Sequence, residues 1–106
     1  MSDLRLRYIL DENHNVIHEP DIVKWAKWFE HTPNRIVKKE TVGSSEISTV
    51  FLAIDHRWAW GDGRPIVFET MIFGDDESYQ ERCCTWDEAL EQHQIAVDLV
   101  KQGKAK

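Results

Sequence analysis

The segment from Ile47 to His56 constrains the fold of this chain more than any other. It reads Ile-Ser-Thr-Val-Phe-Leu-Ala-Ile-Asp-His, rich in the β-branched and aromatic residues that favour strands. A second apolar run, Pro65 to Phe73, follows after a glycine-containing loop. Both runs are apolar on both faces over part of their length, which is typical of central strands. We therefore predict a sheet built around these two runs, with helices on one face and another covering on the second.

The remaining segments supply two helices and further strands. Ile22, Trp25, Ala26 and Phe29 recur at helical spacing and form one apolar stripe. Thr85 followed by Glu88 matches the capping box that begins a helix, and the apolar face of that helix includes Trp86. In chain order, the predicted elements are a hairpin at 5–17, a helix at 21–31, strands at 35–42, 47–56 and 65–73, a short strand at 79–84 and a helix at 86–101. This order predicts an α+β fold: an antiparallel sheet of about four to five strands with two helices packed on it.

Length and charge limit the remaining possibilities. The 106 residues are expected to form a single domain (1–106), with an ordered core of about 5–101 and a frayed tail at 102–106. The net charge of −6 argues against a generic nucleic-acid binder, because phosphate contacts require a basic surface. The N-terminus has no apolar signal segment, and no apolar run approaches the length of a membrane span. We expect a cytoplasmic protein with no membrane partner.

The cysteines and histidines do not form a recognisable reactive or metal-binding motif. Cys83 and Cys84 are adjacent, so there is no spaced disulfide framework, and nothing nearby indicates an activated thiolate. His14 and His18 would lie about 13 Å apart along a strand, too far to chelate one ion together. The other histidines fall in separate predicted elements. We expect no metal and no cofactor.

Three polar residues near the central strands are weak catalytic candidates. Asp55 and His56 end the strongest strand, and Glu69 interrupts the next apolar run. If the two strands pair, Glu69 would lie opposite Leu52 or Ala53. A carboxylate in such a run either reaches solvent, pairs with a lysine or arginine, or belongs to a site, because a buried unpaired charge is costly. The first two options make Glu69 structural, and the third makes it an acid–base or ligand group.

Two other segments are candidates for partner binding. Trp58 and Trp60 lie at alternate positions in a loop, where they either form an exposed binding hot spot or fold back into the core. Asp75, Asp76 and Glu77 begin a stretch, up to Glu91, that contains seven carboxylates and one arginine. This stretch is either a solvated surface or an anionic surface that engages a basic partner.

Four ordered motifs make the chain resemble a family of small uncharacterised proteins encoded by bacteriophages and prophages. The motifs are Trp25-Ala-x-Trp-Phe29, Ser48-Thr-Val-Phe-Leu-Ala-Ile-Asp-His56, Phe68-Glu-Thr-Met-Ile-Phe-Gly74 and Thr85-Trp-x-Glu-Ala89 with His93. The resemblance implies a phage-derived protein in the cytosol of a bacterial host, and it assigns no catalytic residues. The tryptophans after His56 and the cysteine pair depart from the family pattern, so the resemblance does not extend a role to them.

Two functional hypotheses follow. The first is an accessory protein that binds a host or phage protein, and modulation of a host process such as defence is one version. The second is a small enzyme or ligand-binding domain that uses Asp55, His56 and Glu69, with Arg82 as a further member. The second apolar face of the sheet also suggests a homodimer, since something must cover it.

Overall fold

A computed structural model describes residues 6–56, 64–74 and 79–103 of the chain. In chain order, the elements are β1 (Tyr8–Leu10), β2 (Val16–His18), α1 (Ile22–His31), β3 (Ile36–Val42), β4 (Ser45–Phe51), β5 (Phe68–Phe73), β6 (Gln80–Cys83) and α2 (Trp86–Lys101). Strands β3 to β6 form one antiparallel sheet in sequence order, and β1 pairs with β2 in a separate hairpin. The α+β fold with two helices and antiparallel sheets is therefore confirmed. Neither helix in these ranges is long and apolar enough to cross a membrane.

The register of β4 and β5 places the buried side chains on one face, here called the inner face. Ile47, Thr49 and Phe51 alternate with half-buried residues along β4, as the pleat of a strand requires. Their partners on β5 are also buried, and they are Ile72, Thr70 and Phe68. Helix α2 contacts all four strands of the sheet and buries Ala89, His93, Ala96 and Val97. The inner face therefore forms the core of the domain with α2.

Helix α1 packs at the end of the sheet through a stripe that differs from the predicted one. Asp21 is its N-cap and accepts hydrogen bonds from the amides of Val23 and Lys24. Trp25, Trp28 and Phe29 pack against the core, and Trp28 meets the ring of Phe51 edge-on. Ile22 was predicted to join this stripe but is 56% exposed. The indole N–H of Trp25 donates to the carbonyls of Tyr8 and Ala53, so α1 is rotated toward the hairpin.

The strand predicted at 47–56 is too long, and the predicted position of Glu69 is wrong for the same reason. Strand β4 ends at Phe51, and Glu69 pairs with Val50 instead of Leu52 or Ala53. Ala53 adopts a left-handed backbone conformation with φ of 67°, which is incompatible with an extended strand. Residues 53–55 leave the ladder and bond to the N-terminal segment, where the Tyr8 amide donates to the Ala53 carbonyl and the Asp55 amide donates to the Leu6 carbonyl.

The opposite, outer face of the sheet mixes ion pairs with apolar side chains. Glu69 pairs with Arg82, and Lys39 pairs with Glu46. Ile36 and Phe73, at the margins of this face, are both exposed. The predicted homodimer across this face stays a prediction.

Candidate functional site

The carboxylate of Asp55 is buried and organises the backbone. Its side chain accepts a hydrogen bond from the Ile66 amide at 2.9 Å, and the residue is only 5% exposed. The neighbouring His56 amide donates to the Ile66 carbonyl at 2.8 Å. Asp55 and His56 therefore hold together the two ends of the segment 57–63, which lies outside the described residues. This geometry gives Asp55 a structural role that the sequence pattern does not reveal.

Glu69 lies on the outer face and is engaged by β6. Its carboxylate accepts from Arg82 Nε at 2.9 Å and from Gln80 Nε2 at 2.5 Å. The Glu69 carboxylate and the Asp55 carboxylate thus bind different elements, β6 and the Ile66 backbone. Among the described residues, no hydrogen bond joins the Asp55 and Glu69 side chains.

Replacing Asp55 with alanine is expected to lower the free energy of unfolding by about 1–3 kcal/mol, because the Ile66 amide loses its acceptor. Asp55→Asn retains an acceptor oxygen and should cost clearly less. Urea denaturation of both variants measures the difference. Equal stability of Asp55→Ala and the wild type would show that this hydrogen bond contributes nothing to folding.

The other predicted binding residues, Trp58, Trp60, Asp75, Asp76 and Glu77, lie outside the described residues. Their exposure and contacts therefore stay predictions. Arg64, where the described chain resumes after the tryptophan loop, donates to Glu88 of α2 at 3.0 Å.

Next to Arg64 is an open cleft of about 500 Å³ between the β1–β2 turn and the start of α2. One wall is aromatic: the imidazole of His14 stacks on the indole of Trp86, with ring centroids 3.8 Å apart and planes within 6°. The rim is polar and includes Asn13, Asn15 and Asp87. Because a concave surface with an aromatic wall and a polar rim is typical of binding sites, this cleft is the candidate site. We call it the Trp86 cleft.

The β1–β2 turn fixes the position of His14. The Asp11 carboxylate accepts hydrogen bonds from the amides of Asn13 and Asn15, at 2.8 and 2.9 Å, and from the Asn15 side chain at 3.0 Å. These bonds, the Asn15 backbone bond largest, hold the pKa of Asp11 below its usual value. His14 itself has a φ of 65°, a conformation that favours glycine. The turn thus holds an imidazole over Trp86 at a backbone position that glycine adopts most readily.

A second cavity, of about 250 Å³, is also lined by His14 and Trp86, and we call it the Arg35 cavity. Its other walls include Trp28, Leu10 and Arg35. The sequence marked Trp86 only as part of the apolar stripe of α2 and His14 only as an unsuitable metal ligand. Neither pattern could place both rings together, since 72 positions separate them in the chain.

A network of hydrogen-bonded side chains crosses the inner face, and the sequence patterns did not predict it. His93 Nε2 lies 2.9 Å from Glu40 Oε1, and His93 Nδ1 lies 2.7 Å from Thr49 Oγ1. The chain continues from Thr49 to the Thr70 hydroxyl at 2.7 Å, which accepts from Gln92 Nε2 at 2.9 Å. Since a carboxylate only accepts, His93 Nε2 donates to Glu40, and Nδ1 of a neutral His93 accepts from the Thr49 hydroxyl.

The electrostatics of this hydrogen-bond network favour a neutral His93. Burial lowers the pKa of His93, although the hydrogen bond to Glu40 opposes the shift. Burial would raise the pKa of Glu40, but the hydrogen bond from His93 and the charge of Lys38 hold it below its usual value. His93, Thr49 and Thr70 are fully buried. The arrangement resembles a carboxylate–imidazole–hydroxyl relay, but its hydroxyl cannot contact a substrate in this conformation.

The two cysteines are not joined by a disulfide. Burial, together with the negative charge of Glu88, raises the pKa of Cys83 to about 12, so this thiol stays protonated at neutral pH. Cys84 lines the Trp86 cleft. Within residues 6–56, 64–74 and 79–103, no cluster of three or more histidine, cysteine or carboxylate side chains could hold a metal ion.

No protein-family model, curated protein or solved structure matches this chain.

Proposed function

We propose that this protein acts by binding a protein partner, encoded by the host or by a phage, through the surface around the Trp86 cleft. The observation that carries the proposal is the stacked His14–Trp86 wall, in which the hydrogen bonds of the β1–β2 turn hold His14 in position. Aromatic side chains beside a pocket and within a polar rim are the features that dominate affinity in protein interfaces. A wall whose rings are held by the protein's own contacts also lowers the entropic cost of binding.

Binding accounts for the cleft better than catalysis does. His93 and Thr49 of the relay are fully buried, and none of Glu40, His93 and Thr49 lines either cavity. Arg64, a charged group at the cleft, is paired with Glu88. The cleft therefore offers shape and hydrogen-bonding groups, which are suited to recognition.

The sequence supports the cellular context of the proposal. The resemblance to phage and prophage proteins supports a partner in a bacterial cell, and modulation of a host process such as defence is one version of the proposal. Trp58 and Trp60 belong to the segment that ends beside the cleft at Arg64, so we expect them to contribute to the same interface. Asp75, Asp76 and Glu77 would add attraction to a basic partner, mainly by raising the association rate.

Affinity capture from bacterial cells tests the proposal with a matched pair of variants. Asn13→Arg places a long charged side chain on the exposed rim of the cleft, whereas Gln94→Arg makes the same charge change on an exposed site of α2. Asn13→Arg should lower the retention of a stoichiometric partner by about tenfold or more, which corresponds to ~1.4 kcal/mol of binding free energy. Gln94→Arg should retain the partner.

Thermal unfolding of both variants serves as the folding control, because exposed substitutions usually change stability by no more than about 0.5 kcal/mol. A partner that is retained equally by both variants binds elsewhere on the protein. If no protein is enriched at all, the binding function itself is wrong.

A further inference from the structure

The geometry points to the Arg35 cavity as a subsite for one terminal residue of the partner: a large apolar or aromatic side chain next to a free carboxylate. This inference rests on the proposed function and adds the chemistry that the partner must present. It follows from the guanidinium of Arg35, the aromatic walls and the size of the cavity.

Arg35 is held in place by only one of its nitrogens. Its Nη1 donates to the carbonyls of Phe29 and Thr32, at 3.2 and 2.5 Å, which lie at the end of α1. The guanidinium carbon lies 3.7 Å from the centroid of the Phe29 ring. Within the described part of the chain, Nε and Nη2 of Arg35 make no hydrogen bond and no ion pair. A fixed guanidinium therefore retains one uncommitted edge.

That edge matches a carboxylate in particular. Nε and Nη2 point in parallel from one side of the planar guanidinium, which is the arrangement that binds both oxygens of a carboxylate at once. The nearest acidic residue of the cavity, Asp11, is already committed to the hydrogen bonds of the β1–β2 turn and forms no ion pair with Arg35. The positive charge of Arg35 is therefore left to be paired by an anion from outside the protein.

The walls of the cavity match an apolar side chain. Trp28, Trp86 and Leu10 line it, and all three are half-buried. At about 250 Å³, the cavity is smaller than the ~300–1,000 Å³ of pockets that hold drug-sized molecules, so it fits a single side chain better than a cofactor. The Trp86 cleft shares the His14–Trp86 wall and has room for the residues that precede a terminal one. Capture of a C-terminal carboxylate with its side chain is an established mode of peptide recognition.

The test compares N-acetyl-tryptophan, which has a free carboxylate, with N-acetyl-tryptophanamide, which does not. Titrations of wild-type protein are followed through the indole N–H resonances of Trp28 and Trp86 in ¹H–¹⁵N spectra. The acid should bind with a dissociation constant on the order of 1 mM, as expected for a ligand of this size, and at least about tenfold more tightly than the amide. Equal binding of both probes, or no shift of these resonances with either, overturns the inference.

Arg35→Lys and Arg7→Lys form the variant pair. Arg35→Lys keeps the charge but loses the two-nitrogen edge, so it should lower the affinity for the acid by about tenfold and leave the amide unchanged. Arg7→Lys, at a guanidinium that lies over the Trp25 ring and lines neither cavity, should bind the acid as the wild type does. If Arg35→Lys does not fold, the comparison of the two probes on wild-type protein still tests whether the cavity binds a carboxylate.

A competition experiment separates this inference from the proposed function. The acid probe should displace a captured partner, and the amide should not. A partner that is captured but not displaced leaves the binding function standing and overturns the subsite. Acid-selective binding with no captured partner overturns the assignment of the cavity to a partner's terminus.

Discussion

Replacing Phe51 with alanine is expected to remove about 3–5 kcal/mol from the free energy of unfolding. Phe51 is 2% exposed and joins two parts of the core: its ring meets Trp28 of α1 edge-on and lies 5.2 Å from the ring of Phe68. Truncation leaves a cavity between the sheet and α1, and partial collapse recovers only part of the lost packing. Because a domain of this size has a total stability of roughly 5–15 kcal/mol, the variant should be largely unfolded at moderate urea concentrations.

Phe73→Ala is the matched control, since it makes the same substitution in the same sheet. Phe73 is 42% exposed at the end of β5, so its loss should cost no more than about 1 kcal/mol. Urea denaturation, monitored by far-ultraviolet circular dichroism, compares the two. Similar losses for both variants would contradict the position of the core.

Replacing His93 with leucine is expected to cost about 2–4 kcal/mol at pH 7.5. The change removes the partner of the Thr49 hydroxyl inside the core and the hydrogen bond to Glu40. Each buried polar group left without a partner costs about 1–3 kcal/mol, while the leucine side chain recovers part of this by apolar burial. Loss of one member therefore makes the whole hydrogen-bond network destabilising, because its buried neighbours are left without partners.

The same variant should also change the dependence of stability on pH. The pKa of His93 is lower in the folded protein than its value of 6.5 in the unfolded chain, so the unfolded chain binds the extra proton first. Wild-type stability should be complete above about pH 6.5 and should fall as the pH drops below it. The pKa values of Glu40 and Asp11 are also lowered, so their contributions are lost only as the pH falls below 4.5 for Glu40 and below 3.8 for Asp11.

Between about pH 7 and 5, His93→Leu should therefore show a flatter stability profile than the wild type. His18→Leu is the control, since it removes an exposed histidine by the same change. Urea denaturation at several pH values gives both profiles. If the wild type and His93→Leu lose stability in parallel over this range, His93 is not responsible for the acid sensitivity.

Local patterns in the sequence predicted the elements of this fold well. The capping box at Thr85 and Glu88 is present, and α2 begins and ends where the periodicity placed it. Strand β3 differs from its predicted range by one residue. These features depend on neighbouring residues, so one sequence contains the necessary information.

The errors arose where distant contacts override local preference. The departure of residues 53–55 from the sheet depends on bonds to Tyr8 and Leu6, which are distant in sequence. The stripe of α1 rotated because Trp25 donates to two backbone carbonyls of other elements. For the site, His14 lies 72 positions from Trp86 and Glu40 lies 53 positions from His93, and no local spacing indicates either pair.

The position of α2 in the chain has a consequence for biosynthesis. All four strands of the sheet precede α2 in the chain, and α2 contacts every one of them. During synthesis at about 5–20 residues per second, the strands leave the ribosome before the helix that covers them. For that interval, Ile47, Phe68 and Ile72 lack the α2 residues that pack on them, and such exposed apolar side chains favour chaperone binding and aggregation. The nascent protein therefore depends on α2 to cover this part of the inner face.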